Sequence, residues 1–247
     1  LASEWEVEKA NFSSMAEFLN NKLANFTTDN ATELNPKDVV LYGFGRIGRL
    51  AARELIKQAG KGQQLRLKAI VTRSVTDNDI IKRAALLRND SVHNFFSGTV
   101  EEDLENKALI INGHFVKMIE AKNPEDVDYT AYGINDALVI DNTGVFTDKE
   151  ALGRHMKATG VSKVLLTAPG KEIPNVVYGI NEGTLDIDRD DIFSAASCTT
   201  NAISPILYTI ENALGVTKGH IETVHAYTND QNLLDNMHKK PRRGRST

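Results

Sequence analysis

The sequence is poor in cysteine and in long hydrophobic runs, and its charge is nearly balanced. Its 247 residues include one cysteine, so no internal disulfide can form, which favours a reducing compartment. No apolar run reaches the roughly 20 residues of a membrane-spanning helix, and no secretory signal pattern is present. The formal net charge is −4, which argues against nucleic acid as a partner. These absences predict a cytoplasmic protein that acts away from membranes.

Residues 1–37 are predicted to form a separate N-terminal extension. Apolar side chains recur there at helical spacing, at Phe12, Met15, Leu19 and Leu23. This spacing predicts an amphipathic helix over residues 11–24, followed by the polar linker "NFTTDNATELNPKD". Since the extension carries no recognisable chemistry, we expect a role in packing or in contacts between subunits.

Residues 38–197 alternate between strand and helix patterns. Strands are predicted at 38–42, 65–72, 136–144, 162–169 and 191–197, helices at 45–58, 77–88 and 147–160, and a hairpin over 107–120 that turns at Asn112-Gly113. Such alternation is typical of a parallel sheet covered by helices on both faces. The sequence therefore predicts an α/β fold with a Rossmann-type domain.

The segment after residue 197 predicts a further helix and strand. Apolar residues at helical spacing predict a helix over 199–214 that ends at Gly215, with Pro205 near its first turn. A strand is predicted over 220–228.

A glycine-rich loop follows the first predicted strand of the sheet. In "YGFGRIGR", Gly43, Gly45 and Gly48 have the G-x-G-x-x-G spacing between a strand and a helix. The three glycines would allow a tight turn, close approach of a pyrophosphate, and packing of the helix on the strand. The sequence therefore predicts dinucleotide binding, and the alternative is a tight turn without a ligand.

The residues after the second strand bear on the choice of cofactor. Dinucleotide sites of this kind usually place an acidic residue there, which binds the ribose 2′-hydroxyl. Here Arg73 and Ser74 occupy that place, and Asp77 comes several residues later. A cation and a hydroxyl suit a 2′-phosphate, so the cofactor is predicted to be NAD or NADP, with a lean to NADP. The alternatives are that Asp77 folds back or that Arg73 is only solvated.

Cys198 stands at the start of the last predicted helix, among hydroxyl-bearing neighbours. The positive end of a helix lowers the pKa of a thiol there and can bind an oxyanion. These surroundings favour a nucleophile over an inert core thiol, which remains the alternative. A catalytic thiol needs a base, and His225, near the end of a predicted strand, is the candidate. His155 is expected to be solvated on a polar helix.

Four motifs together resemble the phosphorylating glyceraldehyde-3-phosphate dehydrogenases. They are "GFGRIGR", "DNTGVFT", "SCTTN" and "HAYTNDQ", in that family's order, with His225 placed 27 residues after Cys198. The resemblance runs from about Val39 to Thr247. It implies that residues 198–247 begin an α+β catalytic domain.

The resemblance implies a role for each matching residue. Cys198 would attack the aldehyde to form a thiohemiacetal, His225 would act as the base, and phosphate would convert the resulting thioester to an acyl phosphate. The substrate would be a small phosphorylated aldehyde, used with inorganic phosphate in glycolysis or gluconeogenesis. The phosphates would be bound by Ser197, Thr199 and Thr228. The cofactor would be bound by Gly43, Phe44, Gly45, Arg46, Ile47, Gly48, Arg73, Ser74, Thr143, Gly144, Phe146 and Thr167.

The sequence departs from the family's pattern in three respects. Tyr42 stands where asparagine is common, the ribose-binding acid is missing, and the catalytic domain is expected to be incomplete at Thr247. We therefore expect this chain alone to bind a dinucleotide without turnover, and the basic residues of 239–245 to belong to an interrupted loop.

Two other functions stay open. One is an erythrose-4-phosphate dehydrogenase, which shares the cysteine and much of the glycine loop. The other is a non-catalytic dinucleotide-binding or RNA-binding module. The family also implies a homo-oligomer, a tetramer.

Overall fold

The computed structural model describes residues 1–24, 35–60 and 62–226. The chain divides into two compact units, Leu1–Pro205 and Ile206–Thr247. Most of the predicted linker, together with Thr228 and the basic segment 239–245, lies outside the described residues.

The first unit is built on an eight-stranded sheet in the order β10-β9-β8-β1-β2-β7-β6-β5. Its strands are β1 (Lys37–Tyr42), β2 (Leu65–Thr72), β5 (Val100–Asp103), β6 (Ala108–Ile111), β7 (His114–Glu120), β8 (Ala137–Asp141), β9 (Val161–Leu166) and β10 (Ile192–Ser194). Two short strands, β3 (Asn89–Asp90) and β4 (Asn94–Phe95), pair separately. The strands from β10 to β7 pair in parallel, and β6 and β5 add an antiparallel edge. The predicted α/β class and Rossmann-type sheet are confirmed.

The connection between β6 and β7 is the predicted hairpin. Asn112 and Gly113 both have positive φ, at 48° and 80°. Such angles are required at both central residues of a type I′ turn, which Asn-Gly adopts readily. The hairpin therefore forms where its two turn residues predict it.

Strand β1 lies at the point where the order of the sheet reverses. The chain runs outward from β1 through β2 to β7 on one side, and continues through β8, β9 and β10 on the other. At such a point the loops after neighbouring strands separate and leave a crevice at their carboxyl ends. The glycine loop begins at this crevice, directly after Tyr42.

The described residues also form α-helices. They are α1 (Ala2–Glu8), α2 (Met15–Lys22), α3 (Arg46–Lys57), α4 (Asp77–Arg88), α5 (Lys149–Gly153) and α6 (Cys198–Leu214). Helix α4 begins with a capping box, in which the Thr76 hydroxyl accepts from the Asp79 N–H and the Asp79 carboxylate accepts from the Thr76 N–H. This reciprocal pair satisfies two N–H groups that would otherwise lack partners.

Side chains of β1 alternate between the faces of the sheet and therefore belong to two different buried clusters. Val39 and Leu41 pack with the apolar sides of α3 and α4, whereas Val40 and Tyr42 belong to the opposite cluster. Val39, Val40 and Leu41 are all fully buried. A strand buried on both faces is expected at the centre of a parallel sheet.

The N-terminal helices pack around one aromatic side chain. Phe18 of α2 is 1% exposed, and the rings of Trp5 and Phe12 each lie 5.3 Å from its ring. Ser14 caps α2 by accepting from the Glu17 N–H. The predicted helix over 11–24 is therefore confirmed over a shorter span, and α1 was not predicted.

Three local predictions were wrong. The helix predicted over 147–160 is α5 followed by a short 3₁₀ turn at His155–Lys157. Pro205 lies in the interior of α6, although we predicted it near the first turn. Residues 220–226, the described part of the predicted strand 220–228, form no strand. A strand requires a paired neighbour, and no β-ladder is described for residues 220–226.

A buried carboxylate anchors the start of α3. The Asp90 side chain accepts from Arg49 Nη2 at 2.8 Å and from the N–H groups of Val92 and His93 at 3.0 Å. Burial raises the pKa of Asp90, but the hydrogen bonds from Arg49 and the two N–H groups outweigh it and hold the pKa well below its usual range. The ionised form therefore stabilises the fold.

We expect Asp90→Asn to lower the free energy of unfolding by roughly 3 kcal/mol, because one partner of a buried ion pair is removed. Because the folded pKa is depressed, the contribution of Asp90 is present above its unfolded pKa of about 3.9 and is lost on acidification below it. Urea unfolding of the variant should therefore show a shallower loss of stability between about pH 5 and pH 2.

The control is Asp188→Asn, which removes the same charge from an exposed residue. It should leave both the stability at neutral pH and its acid dependence nearly unchanged. Equal effects of the two substitutions would contradict a specific role for the Asp90–Arg49 pair.

Candidate functional site

The candidate site lies at the carboxyl edge of the parallel strands in the first unit. The loops that begin after Tyr42, Asp141, Leu166 and Ser194 all leave the sheet at this edge. They carry the glycine loop, the "DNTGVFT" segment, Thr167 and the residues before Cys198. The fold thus gathers four of the predicted segments at one edge.

The glycine loop makes two close approaches that exclude side chains. Gly43 has a φ of +90°, and a Cβ there would lie 2.9 Å from Thr143 Cγ2. A Cβ on Gly48 would lie 2.3 Å from the Gly43 carbonyl oxygen. Gly45, which precedes the first residue of α3, has nothing within 4 Å of its Cβ position. Gly43 and Gly48 are therefore required by packing, whereas Gly45 leaves open space in which an anion can approach the helix start.

The other three loop residues face different surroundings. Phe44 is 4% exposed and belongs to the core. Ile47 is half exposed, at 50%. Arg46 Nε lies 3.5 Å from Asp90 Oδ2, so its guanidinium is held beside the buried carboxylate. Of these three predicted cofactor residues, only Ile47 has a side chain that is largely exposed to solvent.

Asp141 organises the loop on the other side of the crevice. Its Oδ1 accepts from the Thr143 N–H at 2.8 Å and from the Thr143 hydroxyl at 2.7 Å. Its carbonyl oxygen accepts from the Thr167 N–H at 3.1 Å and from the Thr167 hydroxyl at 2.9 Å. Gly144 follows with a φ of +65°. The structure thus brings Thr143 and Thr167 together through one aspartate.

A buried histidine, His155, contacts Asp141 through the carboxylate oxygen that does not bind Thr143. His155 Nε2 lies 2.8 Å from Asp141 Oδ2, and both side chains are fully buried. The expectation that His155 is solvated was wrong. The Tyr42 and Phe146 rings pack edge-on against the imidazole at 4.6 and 5.6 Å. Burial, helped by the charge of Asp141, raises the pKa of Tyr42 to about 12.

A cavity of about 340 Å³ opens beside the crevice. Its walls include the loop residues Gly43, Thr143 and Phe146. Three cationic side chains from separate elements also line it, namely Arg73 after β2, Arg83 on α4 and Lys122 after β7. These three side chains give the cavity a positive charge.

The carboxylates nearest to the end of β2 bind protein groups. Asp79 Oδ2 accepts from the Ser74 hydroxyl at 2.5 Å and from the Thr76 hydroxyl at 2.7 Å, and these bonds lower the pKa of Asp79 to about 2. Glu120 Oε2 accepts from the Val75 N–H at 3.2 Å. Asp77 is exposed at the first position of α4 and does not line the cavity. The Ser74 hydroxyl therefore donates to Asp79. None of Asp77, Asp79 and Glu120 lines the cavity.

Cys198 is presented by a tight turn between β10 and α6. Ala196 adopts a φ of 58°, and its N–H donates to the Ser194 hydroxyl at 2.9 Å. The Ser197 hydroxyl accepts from the Thr200 N–H at 2.9 Å, and the Asn201 amide donates to the Ala195 and Ser197 carbonyl oxygens at 2.7 and 2.9 Å. The polar residues around the thiol therefore shape the turn and the helix start.

The thiol itself is exposed as the first residue of α6. The thiol is therefore not the buried core cysteine of the alternative reading. Thr199 is partly exposed beside it. A thiol at a helix start, reachable from solvent, has the setting in which cysteines act as nucleophiles.

The last two predicted residues lie in other parts of the chain. His225 is exposed and belongs to the second unit, whereas Cys198 belongs to the first. Thr228 lies outside the described residues. The pairing of Cys198 with His225 stays a prediction.

Sequence reasoning missed Arg83, Lys122 and the Asp141–His155 pair. Lys122 could have been found, because it follows a parallel strand next to β2 and so ends at the same edge. Arg83 lies in the second turn of α4, and only the packing of that helix shows that it reaches the cavity. No signal in the sequence links Asp141 with His155, because they belong to separate elements.

Two negative findings hold for the described residues. No group of three His, Cys, Asp or Glu side chains among them is arranged to bind a metal ion. No helix within residues 1–24, 35–60 and 62–226 is long and apolar enough to cross a membrane.

The glycine geometry makes a prediction about stability. We expect Gly48→Ala to lower the free energy of unfolding by roughly 1–3 kcal/mol, because the new Cβ would force the Gly43 carbonyl to move. Gly45→Ala should change it by less than about 1 kcal/mol, since its Cβ meets open space. Chemical denaturation of the two variants checks this, and equal losses would contradict it.

Comparison with known proteins agrees with these features. Residues 37–149 match the sequence model of the glyceraldehyde 3-phosphate dehydrogenase NAD binding domain, and residues 197–247 match that of the C-terminal domain. A glyceraldehyde-3-phosphate dehydrogenase-like protein of Pseudomonas aeruginosa is 52% identical over 240 residues, which are 96% of this chain and 52% of that protein.

Two more distant relatives are each named glyceraldehyde-3-phosphate dehydrogenase. The one from Zymomonas mobilis is 37% identical over 84% of this chain and 59% of its own length. The one from Streptococcus pyogenes is 37% identical over 81% of this chain and 56% of its own length. The chain thus spans about half the length of the curated relatives it matches. By its sequence matches and its Rossmann-type sheet, the chain belongs to the glyceraldehyde-3-phosphate dehydrogenase family.

Proposed function

We propose that this chain carries the dinucleotide site and the cysteine nucleophile of a phosphorylating aldehyde dehydrogenase. One observation supports this most directly. The open space at Gly45 and the exposed thiol of Cys198 occur at the same carboxyl edge of one parallel sheet. Ligands of open α/β sheets bind at this edge, so a dinucleotide and an aldehyde could meet there.

The dinucleotide would lie in the crevice between the glycine loop and the "DNTGVFT" segment. The N–H groups at the start of α3, around Gly45, would bind its pyrophosphate. Thr143, Gly144, Phe146 and Thr167 would border the nicotinamide side. A nicotinamide dinucleotide, when bound, would supply the oxidant for the aldehyde. Arg73 in the place of a ribose-binding acid supports acceptance of NADP as well as NAD.

The thiol of Cys198 would form the covalent bond to substrate. Its thiolate would add to the aldehyde carbon to give a thiohemiacetal, and the N–H groups at the start of α6 would stabilise the developing oxyanion. His225 would take up the proton of the hydroxyl. After oxidation to the thioester, phosphate would attack the same carbon, and the thiolate would leave to give an acyl phosphate.

The substrate would be a small phosphorylated aldehyde. Ser197, Thr199 and Thr228 would contribute to binding its phosphate and the inorganic phosphate. The Ser197 hydroxyl already accepts from the Thr200 N–H, so it would serve both the helix cap and the ligand. Glyceraldehyde 3-phosphate is the favoured substrate because the relatives from Zymomonas mobilis and Streptococcus pyogenes are named glyceraldehyde-3-phosphate dehydrogenases. This substrate would assign the protein to glycolysis or gluconeogenesis.

Compartment and assembly are part of the proposal. The single cysteine supports a reducing, cytoplasmic setting, and the family resemblance supports a homo-oligomer.

The first test is binding of the dinucleotide to this chain. We expect NADH and NADPH to bind with enhanced fluorescence, and Gly45→Ala to weaken binding at least tenfold, because its methyl group occupies the space of the pyrophosphate. Gly183→Ala is the control, since that glycine lies in a surface turn away from the crevice. Absence of binding by the unmodified chain would contradict the proposal.

The second test concerns Cys198. We expect Cys198→Ser to abolish aldehyde- and phosphate-dependent reduction of the dinucleotide by the protein that carries this chain, with dinucleotide affinity changed less than threefold. Comparing glyceraldehyde 3-phosphate with erythrose 4-phosphate would identify the preferred aldehyde. Dinucleotide binding without any Cys198-dependent turnover would instead support a binding module.

A further inference from the structure

Arg83 is a half-buried cation that the proposed mechanism does not use. It lies in the second turn of α4 and lines the 340 Å³ cavity with Arg73 and Lys122. Its Nε is buried and has no hydrogen-bond partner among the described residues. Burial lowers the pKa of Arg83, while the charge of Asp79 partly compensates. A buried N–H donor without a hydrogen-bond partner is unfavourable unless something else binds it.

The nearest acid on the same helix does not pair with Arg83. Asp79 is four residues earlier, which is the spacing of a helical ion pair. Its Oδ2 is instead occupied by the hydroxyls of Ser74 and Thr76. Within the described part of the chain, Arg83 forms no ion pair with Asp79 or another acid. The guanidinium therefore keeps hydrogen-bond donors available for an anion.

The position of the cavity identifies the anion. It lies between the carboxyl ends of β1 and β2 and the segment after β7, and extends from Gly43 to Arg73. In a sheet of this topology the adenosine ribose lies at the end of β2, next to the pyrophosphate loop. Arg73 and Lys122 are exposed, whereas Arg83 is half-buried. An arginine fork suits a phosphate group better than a lysine does.

We propose that Arg83 binds the 2′-phosphate of NADP and is the main residue by which this chain distinguishes NADP from NAD. This rests on the proposed dinucleotide binding. Arg73 and Lys122 add positive charge at the mouth of the cavity, where solvent screens it. Arg83 supplies the hydrogen bonds from inside the cavity, so its removal affects the 2′-phosphate and leaves the rest of the cofactor bound.

The test uses the cofactor fragments adenosine 2′,5′-bisphosphate, adenosine 3′,5′-bisphosphate and adenosine 5′-monophosphate, titrated by calorimetry. The unmodified chain should bind the 2′,5′-bisphosphate more tightly than the other two. Arg83→Gln should weaken the 2′,5′-bisphosphate roughly 10- to 100-fold, as expected for one or two charge-assisted hydrogen bonds. It should leave the monophosphate within threefold.

Lys82→Gln is the matched control, because Lys82 is the exposed neighbour on the same helix and lies outside the cavity. It removes the same charge and should change all three affinities less than threefold. Since Arg83 forms no hydrogen bond or ion pair with the described residues, Arg83→Gln should not lower the thermal midpoint. Far-ultraviolet circular dichroism of both variants confirms that any loss of binding is local.

The outcomes separate the inference from the function on which it rests. If Arg83→Gln weakens the monophosphate and the 2′,5′-bisphosphate equally, or weakens neither, the assignment of Arg83 is wrong although the chain binds dinucleotides. If the 3′,5′-bisphosphate binds best and loses affinity in the variant, the site serves a 3′-phosphate, which also overturns the inference. If the chain binds neither fragments nor dinucleotides, the proposed function fails first.

Discussion

The structure depends on a single strand that is buried on both faces and paired on both edges. β1 pairs in parallel with β2 and with β8, and its residues Val39, Val40 and Leu41 are inaccessible to solvent. The two halves of the sheet therefore meet at its carboxyl end, where Gly43 follows. A side chain at Gly43 would strike Thr143, and one at Gly48 would strike the Gly43 carbonyl. The crevice thus keeps its shape because three backbone segments pack too closely to move independently.

Asp141 fixes the neighbouring loops at this edge of the sheet by hydrogen bonds. Its side chain binds the Thr143 N–H, the Thr143 hydroxyl and His155, while its carbonyl binds Thr167. A carboxylate without solvent contact is tolerated only because these partners replace water. The loops after β8 and β9 consequently share one anchor. The rings of Tyr42 and Phe146 close the same cluster against the imidazole.

Much of the sheet could be predicted because its signals are local. The bounds of β2 and α4 follow from an apolar run and from a cap of Thr76 with Asp79, and the hairpin follows from Asn112-Gly113. The short α5 and the buried His155 could not be predicted, because polar neighbours suggested a solvated helix and only tertiary packing covers the ring. The prediction of a strand was wrong over residues 220–226 for a similar reason. Their apolar alternation predicts a strand only where a paired neighbour exists.

The electrostatics of the cavity follow from how the protein uses its acids. Asp79 is the carboxylate best placed to neutralise Arg83, yet it caps α4 and binds Ser74. Its low pKa shows that these bonds favour the ionised form, so the same charge stabilises the helix start while leaving the guanidinium without a bonded acid. Glu120 is likewise held by the Val75 N–H. The positive character of the cavity therefore arises from the hydrogen bonding of its acidic neighbours as much as from its three cations. A substitution that released Asp79 from the cap would let it reach toward Arg83 and compete with any bound phosphate.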